Sequence, residues 1–325
     1  MTGAAASVDA VVEAGGVGTA RVMRRVEQRM LELSSSHGET LAFHARETIS
    51  AGGKRLRPLL VCIASGVPVI EGDQLVRAAV SVELVHAATL VHDDVIDRSD
   101  LRRGRPTVVA SGGRLIALAT GDLLFSRAFA ELAAGGQIEP IRALSAAAAS
   151  LAAGELMQRA DSWDAGVSRE RYLERCRLKT GVLFRAACEL GALAGGGSVG
   201  ELGRFGEQIG IAFQLLDDLL DVTGPPERTG KPRGADLLDG TVTLPLIAAR
   251  DRDPELGAVD LRAVTTAEQA ALLCDRIEAT GALRVAREHA LSVVAGAKDG
   301  LPDQLSDAQR AALELVADGV VERYS

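Results

Sequence analysis

Two short acidic motifs lie inside apolar stretches of this chain and limit what it can fold into. Each reads D-D-x-x-D, once at Asp93–Asp97 and again at Asp217–Asp221. Aspartates are rarely buried without partners, so three of them in an apolar stretch cost stability. On a helix, the first and last aspartates of each motif lie about one turn apart on the same face. The chain must therefore fold so that both acidic faces are neutralised.

Magnesium is the ion that these motifs favour. Carboxylate oxygens are hard ligands that suit Mg²⁺, which keeps some of its waters and also binds substrate phosphates. A single motif of this kind is often only a solvated helix face, but two of them in apolar flanks with basic motifs nearby favour a metal site. The predicted metal ligands are Asp93, Asp94, Asp97, Asp217, Asp218 and Asp221.

The composition and the apolar spacing favour helices over strands. Aromatic residues, which strands prefer, make up only 3% of the 325 residues. Two later motifs, Thr265-x-x-Glu268 and Ser306-x-x-Gln309, resemble capping boxes that open helices. We find no convincing strand, repeat or dividing linker, and predict an all-α fold with one catalytic domain over 18–325 after a flexible segment over 1–17. Apolar spacing predicts helices over Val22–Leu33, Glu39–Ile49, Gly72–Asp97 and about 113–135, 140–160, 168–194 and 200–222.

Charge and cysteine usage exclude several classes of protein. The net charge is -8 and there is no long basic run, so we expect no nucleic-acid partner. The four cysteines are scattered without zinc or disulfide spacing, which favours reduced thiols in a cytoplasmic protein. No run of eighteen apolar residues and no signal peptide is found, so we expect no transmembrane segment.

A set of basic motifs accompanies the aspartates. The segment Gly52-Gly53-Lys54-Arg55-Leu56-Arg57-Pro58 places three cations beside glycines that permit close approach of a ligand. Arg102 and Arg103 follow the first acidic motif, and Lys179 and Lys231 lie nearer the second. Metal ions bridge acidic side chains to phosphate, while arginine and lysine bind phosphate directly. Two phosphate sites would fit two substrates.

Together these motifs resemble the trans-isoprenyl diphosphate (polyprenyl) synthases. The likeness extends from about Gly52 to Leu246 and is most specific in Val82–Asp97, which carries the first aspartate motif, and in Phe213–Asp221, which carries the second. Further matching strings are Arg102-Arg103-Gly104, Gly154-Glu155-x-x-Gln158 and Lys179-Thr180-Gly181. The resemblance implies a single-domain bundle of mostly antiparallel helices around a deep central cavity, usually in a homodimer.

The resemblance also implies the reaction and its residues. An allylic diphosphate held through three Mg²⁺ ions between the aspartate motifs ionises, and isopentenyl diphosphate attacks the resulting cation. A possible transient membrane contact for release of the lipid product follows from the same chemistry. The implied catalytic residues are Asp93, Asp94, Asp97, Arg102, Lys179, Thr180, Gln214 and Lys231, and the implied substrate-binding residues are Lys54, Arg57, His86, Arg103 and Gln158.

Two features bear on the finer function. The family usually has a second lysine where this chain has Thr241, so one positive charge is missing. Residues that line the product tunnel in the family correspond to Val85, Ala88 and Thr89, none of which is aromatic. Small side chains there predict products longer than twenty carbons. The alternatives are a short-chain farnesyl or geranylgeranyl diphosphate synthase, a non-catalytic subunit of a heteromeric synthase, and a terpene cyclase.

Overall fold

The computed structural model of the protein describes residues 8–66, 73–225 and 232–322, and helices dominate all three ranges. The first helices are α1 (Val8–Ala14), α2 (Gly16–Ser34), α3 (Glu39–Ser50), α4 (Leu56–Ala64), α5 (Gln74–Asp97), α6 (Val108–Ala133) and α7 (Ile138–Asp161). They are followed by α8 (Arg169–Cys176), a π-helical turn (Arg177–Gly181), α9 (Val182–Gly195), α10 (Val199–Thr223), α11 (Ala235–Leu238) and α12 (Leu244–Arg250). The last elements are α13 (Pro254–Gly257), a 3₁₀ turn (Leu261–Ala263), α14 (Ala267–Ala279), α15 (Ala282–Asp299) and α16 (Asp307–Glu322). The all-α fold predicted from the sequence is confirmed.

The chain forms two compact units, each assembled from separate stretches of sequence. The first contains the described residues up to Ala148 together with Leu183–Gly206 and Leu301–Val316. The second contains Ala149–Val182, Glu207–Gly300 and the described residues from Ala317 onward. The domain bounds predicted at 1–17 and 18–325 stay a prediction; within the described part of that N-terminal segment, Val8–Ala14 is helical.

Helix α5 is the centre of the first unit, and it packs against α2, α4 and α6. Apolar residues of α5 lie on all of its faces, which is typical of a buried helix. Val80, Leu84 and Ala88 have no exposed surface. In the same unit α9 lies close to the end of α4, because a Cβ atom at Gly191 or Gly195 would collide with the α4 backbone or its cap. This packing fixes the helix that carries the first aspartate motif.

Two described helices, α5 and α6, are long and apolar enough to cross a membrane by length and composition alone. The most apolar stretch of α5 is 72% buried, so packing in the core accounts for its apolar character. The corresponding stretch of α6 is only 28% buried, and Leu115 is 78% exposed. The predicted absence of a transmembrane segment therefore stays a prediction, and α6 carries apolar side chains that the described residues leave exposed.

Three details differ from the sequence prediction. The segment after α5 contains a two-residue hairpin, Leu101–Arg102 with Arg105–Pro106, where no strand was predicted. The helix predicted over 168–194 is divided by the π-helical turn Arg177–Gly181.

The third difference concerns the capping boxes. The first box is one residue later than predicted, because Thr266 rather than Thr265 caps α14 and exchanges hydrogen bonds with Gln269. In the second, Ser306 accepts from the backbone of Gln309, but the Gln309 side chain donates to the carbonyls of Ile63 and Ala64 instead. Tertiary contacts thus override the local pattern there.

Candidate active site

The first aspartate motif forms the C-terminal end of α5. Asp94 is 4% exposed, whereas Asp93 is half-buried and Asp97 is exposed. The helix stops at Asp97 because Arg98 takes a left-handed conformation with φ of 53°. Asp93 and Asp97 are one helical turn apart, so the motif presents two carboxylates on one face while the middle one turns inward.

A tight hairpin after α5 returns Arg102 to the motif. The Arg102 Nε donates to Asp94 Oδ1 at 2.8 Å, and its Nη2 lies 2.8 Å from the same oxygen. Arg103 and Gly104, at the tip, both have positive φ, as a two-residue turn between right-twisted strands requires. The buried Asp94 thus has an arginine partner from the hairpin that follows α5.

The glycine pair Gly52-Gly53 permits close approach of a side chain from the same unit. The Arg103 guanidinium donates to the carbonyl of Gly52, and a Cβ atom at Gly53 would lie 2.9 Å from Arg103 Nη1. Both glycines have positive φ, at 75° and 155°. The space beside the two glycines therefore holds the Arg103 guanidinium. The family resemblance implied Arg103 as a substrate-binding residue, together with Lys54 and Arg57 of this segment.

Two arginines of the basic motif have opposite surroundings. Arg55 is well paired: it donates to Glu27 at 2.6 Å, to Glu83 at 3.1 Å and to the carbonyl of Ile49 at 2.7 Å. Arg57 lies over the ring of Phe184 at 4.7 Å, and its buried Nε has no hydrogen-bond partner among the described residues. Burial lowers the pKa of Arg57 to about 10, although the nearby Glu83 acts in the opposite direction.

His86 lies on α5, seven residues before Asp93, and it is half-buried. Burial lowers its pKa well below the usual histidine value, and the positive charges of Arg57, Arg103, Arg102 and Arg55 lower it further. The ring is therefore neutral at neutral pH and offers one donor and one acceptor nitrogen. Around it the structure gathers four of the basic groups that the sequence singled out.

The three predicted tunnel residues lie on the same helix. Val85 and Ala88 have no exposed surface, while Thr89 is half-buried and donates its hydroxyl to the carbonyl of His86 at 2.8 Å. Of the three, Thr89 is the one that borders open space. His92, also on α5, stacks on Phe125 of α6 with ring centres 5.8 Å apart.

The second aspartate motif lies near the end of α10, in the second unit. Asp217 is exposed, Asp218 is 4% exposed and Asp221 is half-buried. Asp221 Oδ2 accepts from the backbone N–H of Asp236 at 3.2 Å, and its carbonyl accepts from Gly234 at 2.9 Å. As in the first motif, the middle aspartate turns inward while the outer pair shares a face.

Asp218 belongs to a chain of hydrogen bonds. Tyr172 donates its hydroxyl to Asp218 Oδ2 at 2.5 Å, and Gln214 Nε2 donates to Asp218 Oδ1 at 2.7 Å. Thr180 in turn donates to Gln214 Oε1 at 2.8 Å. Burial raises the pKa of Asp218 to about 7, although both hydrogen bonds lower it. The family resemblance implied both Thr180 and Gln214 as catalytic residues, and the structure brings them into contact.

Lys179 is held by a carboxylate outside the aspartate motifs. Its Nζ donates to Glu155 Oε2 at 2.5 Å. A π-helical turn carries Lys179 and Thr180, and such turns are frequent at functional sites. The absence of a side chain at Gly154 permits the approach, because a Cβ atom there would lie 2.9 Å from Lys179 Cγ. Gln158, one turn further along α7, is half-buried.

Two further predicted positions lie beyond the second motif. Lys231 falls outside the described residues. Thr241, in the place of the usual lysine, is half-buried and donates its backbone N–H to the carbonyl of Asp236 at 2.8 Å. The preceding Gly240 has φ of 69° and accepts from the backbone of Trp163 at 2.7 Å. Thr241 thus lies in a loop that backbone hydrogen bonds hold in place.

The sequence did not predict the hydrogen bonds that Tyr172 and Glu155 make in this unit. Tyr172 is completely buried, and 46 residues separate it from Asp218. A single aromatic residue in a charged helix carries no periodic signal for so distant a partner. Glu155 was quoted within a motif, but its pairing with Lys179 was not predicted.

The donor set fits a metal that also binds substrate oxygens. Within the described ranges, no three histidine, cysteine, aspartate or glutamate side chains form a complete metal site by themselves. Mg²⁺ is typically held by one or two carboxylates, by waters and by substrate phosphates. The outer carboxylates, Asp93 with Asp97 and Asp217 with Asp221, offer such incomplete sets. Asp94 and Asp218 are engaged by Arg102 and by Tyr172 with Gln214.

Comparison with known proteins agrees with this arrangement. The polyprenyl synthetase family profile matches residues 39–272. Heptaprenyl diphosphate synthase component 2 of Geobacillus stearothermophilus is 39% identical over 272 residues, which cover 82% of this chain and 84% of that protein. Geranylgeranyl diphosphate synthase of Methanosarcina mazei is 37% identical over 295 residues, covering 88% and 90%. The crystal structure of a decaprenyl diphosphate synthase from Rhodobacter capsulatus superposes with a TM-score of 0.89 at 33% identity, covering 98% and 99%.

The fold and the two aspartate motifs define an all-α prenyltransferase. The chain belongs to the polyprenyl synthetase family. The resemblance drawn from the motifs alone is thereby confirmed. The relatives named here make products of different lengths, so membership does not fix the product.

Proposed function

We propose that the protein is a Mg²⁺-dependent polyprenyl diphosphate synthase that condenses an allylic diphosphate with isopentenyl diphosphate head to tail. One observation carries the proposal. The end of α5 brings an aspartate motif together with a neutral His86 and the arginines Arg57, Arg102 and Arg103 within a single unit. Acidic groups for metal and basic groups for phosphate are both needed to handle a diphosphate.

The basic motif Gly52–Pro58 binds isopentenyl diphosphate. Lys54 is exposed, and the buried Nε of Arg57 has no hydrogen-bond partner among the described residues, so an incoming diphosphate supplies an acceptor and a negative charge to this guanidinium. His86, neutral among arginines, donates a hydrogen bond to a phosphate oxygen. Arg103 is placed to turn from Gly52 towards the same substrate. The anion thereby supplies an acceptor to the Arg57 Nε, which has no hydrogen-bond partner among the described residues.

The allylic diphosphate falls to the aspartate motifs and the cations beside them. Asp93 and Asp97 in the first unit, and Asp217 and Asp221 in the second, are the carboxylates that would hold Mg²⁺, and the bound ion would supply electron withdrawal from a leaving diphosphate. Thr180 and Gln214 present fixed dipoles to the allylic side. The C–O bond breaks, the double bond of isopentenyl diphosphate forms the new C–C bond, and the departing diphosphate takes the proton that is lost. The protein needs no side chain as a general base.

The product is proposed to exceed twenty carbons. Val85, Ala88 and Thr89 are small on the side of α5 that faces the growing chain in this family. Of the relatives named above, one is named for heptaprenyl diphosphate, which is longer than twenty carbons, and one for geranylgeranyl diphosphate, which has twenty. The short-chain synthase is therefore the competing proposal, and analysis of product length decides between them.

A homodimer is proposed for the assembled enzyme. The support is α6, whose apolar face includes Leu115 at 78% and Leu118 at 38% exposure. Large apolar side chains exposed close together on one helix favour a protein interface. A second copy of this chain would cover them. The molar mass in solution, measured by light scattering, tests the dimer.

A heteromeric synthase is the second candidate, and one finding favours it. The relative from Geobacillus stearothermophilus is named component 2 of its synthase. If this chain also needs a partner subunit, the purified chain alone has no activity and regains it when the partner is added. The intact aspartate motifs favour the catalytic role.

We also propose a cytoplasmic location, with transient membrane contact for release of the lipid product. All four cysteines are free and buried, which fits a reducing compartment. Fractionation of cells that express the full chain tests the location.

The decisive experiment uses the purified chain with labelled isopentenyl diphosphate, Mg²⁺ and each of the allylic primers in turn. We expect labelled products that grow in five-carbon steps and disappear in excess EDTA. Full incorporation in EDTA would refute the metal requirement. Absence of incorporation with every primer would refute the proposed function for the chain acting alone.

A further inference from the structure

The two adjacent aspartates of the second motif have different surroundings. Asp217 is exposed, whereas Asp218, next to it on α10, is 4% exposed. Successive residues on a helix point about 100° apart, so the two carboxylates face different directions. A carboxylate that binds a hydrated cation is expected to face solvent. Only Asp217 meets that condition.

Both carboxylate oxygens of Asp218 are already hydrogen-bonded. The Tyr172 hydroxyl donates to Oδ2 at 2.5 Å, and Gln214 Nε2 donates to Oδ1 at 2.7 Å. Tyr172 has no exposed surface, and the Arg175 guanidinium lies 5.4 Å from its ring centre. Coordination of a metal by Asp218 would therefore break hydrogen bonds between buried groups.

These bonds fix the orientation of the Gln214 amide. Since Asp218 Oδ1 accepts from the Gln214 amide, the Gln214 nitrogen faces Asp218 and its oxygen faces Thr180. The Thr180 hydroxyl donates to that oxygen at 2.8 Å. Without the acceptor at Asp218, the amide is free to flip. Pre-oriented dipoles contribute to catalysis because they need not reorganise during the reaction.

We propose that Asp218 is a positioning residue and not a metal ligand, and that Tyr172 and Asp218 together orient Gln214 and Thr180 towards the allylic substrate. This assignment, which rests on the proposed function, revises the ligand set that the sequence predicted. It leaves Asp217 and Asp221 as the metal-binding carboxylates of the second motif. It also gives a role to Tyr172, which the motifs do not include.

The first test is a double-variant cycle carried out in EDTA, where no metal contributes. The double variant combines Asp218→Asn with Gln214→Glu. Its amide at position 218 donates to its carboxylate at position 214, so the hydrogen bond is restored in the opposite direction. We expect the double variant to melt several degrees higher than the two single-variant shifts predict when added. Additive shifts would mean that the two side chains do not act together and would overturn the proposal.

The second test counts bound metal. Mn²⁺ is titrated in the presence of pyrophosphate and followed by electron paramagnetic resonance. We expect Asp218→Asn to bind as many Mn²⁺ ions as the wild type, and Asp217→Asn, the matched control, to bind one fewer. Loss of an ion in Asp218→Asn would overturn the proposal.

The kinetic signature completes the test. Tyr172→Phe is expected to lower kcat about tenfold while the KM values of both substrates stay within about twofold, because orientation and not binding is lost. A rise in the allylic KM with unchanged kcat would contradict the positioning role. Failure of the wild type to transfer any prenyl group would sink the proposed function, whereas the cycle in EDTA would still decide how Asp218 acts.

Discussion

Replacing Arg57 by Met is expected to stabilise the substrate-free protein while it weakens the binding of isopentenyl diphosphate. Arg57 is a buried cation whose Nε has no hydrogen-bond partner among the described residues. Met keeps most of the side-chain volume and the packing on Phe184 while it removes the charge. Arg55→Met is the matched control, because Arg55 is only two residues away but pairs with Glu27 and Glu83.

The expected magnitude follows from the surroundings of the guanidinium. A fall of the Arg57 pKa to about 10 corresponds to a charging penalty of about 3 kcal/mol, since one pKa unit is worth about 1.4 kcal/mol. Attraction to the Phe184 ring, 4.7 Å away, offsets about 0.5–2 kcal/mol of this penalty. Removal of the charge should therefore stabilise the protein by about 1–2.5 kcal/mol. Arg55→Met leaves Glu83, whose side chain is 6% exposed, without its cation and should cost about 3–5 kcal/mol.

Urea unfolding with and without isopentenyl diphosphate measures both effects. The substrate should stabilise the wild type more than Arg57→Met, because at one ligand concentration a tighter-binding ligand stabilises the folded state more. Loss of one charge-assisted contact should weaken binding by about 1.5–3 kcal/mol, seen also as a higher KM for isopentenyl diphosphate. Destabilisation by Arg57→Met as large as that by Arg55→Met, or an unchanged KM, would refute the reasoning.

Three further changes test other parts of the site. Asp93→Asn should lower turnover by about two or more orders of magnitude with the circular dichroism spectrum retained; turnover near that of the wild type would contradict its role as a metal ligand. Thr241→Lys should lower the KM of the allylic substrate or raise kcat, because it adds a cation near the developing diphosphate charge; unchanged kinetics would mean that another group already fills that role. Ala88→Phe should shorten the products seen by reversed-phase chromatography and cost about 1–3 kcal/mol in stability, since Ala88 is fully buried. Unchanged product length would place the end of the tunnel elsewhere.

The fold class and the positions of the long helices could be predicted from apolar spacing, because helices such as α5 carry their signal within one stretch of chain. The hairpin Leu101–Pro106 could not, since it depends on two consecutive residues with positive φ, one of them Arg103. The break at Arg177–Gly181 has no counterpart in the apolar pattern. Local patterns thus predict the elements, while tertiary contacts decide their ends and interruptions.

The residues of the site were predictable where a motif contains them, but their partners were not. The two aspartate motifs are visible in the sequence, yet only the structure shows that Asp94 and Asp218 turn inward. Spacing of i and i+4 predicts which aspartates share a face, and it says nothing about what covers the middle one. Tyr172 and Glu155 approach Asp218 and Lys179 through folding, across 46 and 24 residues of chain.

The most direct test of the proposed reaction compares two quantities in one incubation. Labelled isopentenyl diphosphate incorporated into product and pyrophosphate released are measured together in the presence of Mg²⁺ and an allylic primer. Chain elongation predicts one pyrophosphate released for each isopentenyl unit incorporated, with both stopped by EDTA. Release of pyrophosphate from the primer without incorporation, as a terpene cyclase would produce, contradicts the account.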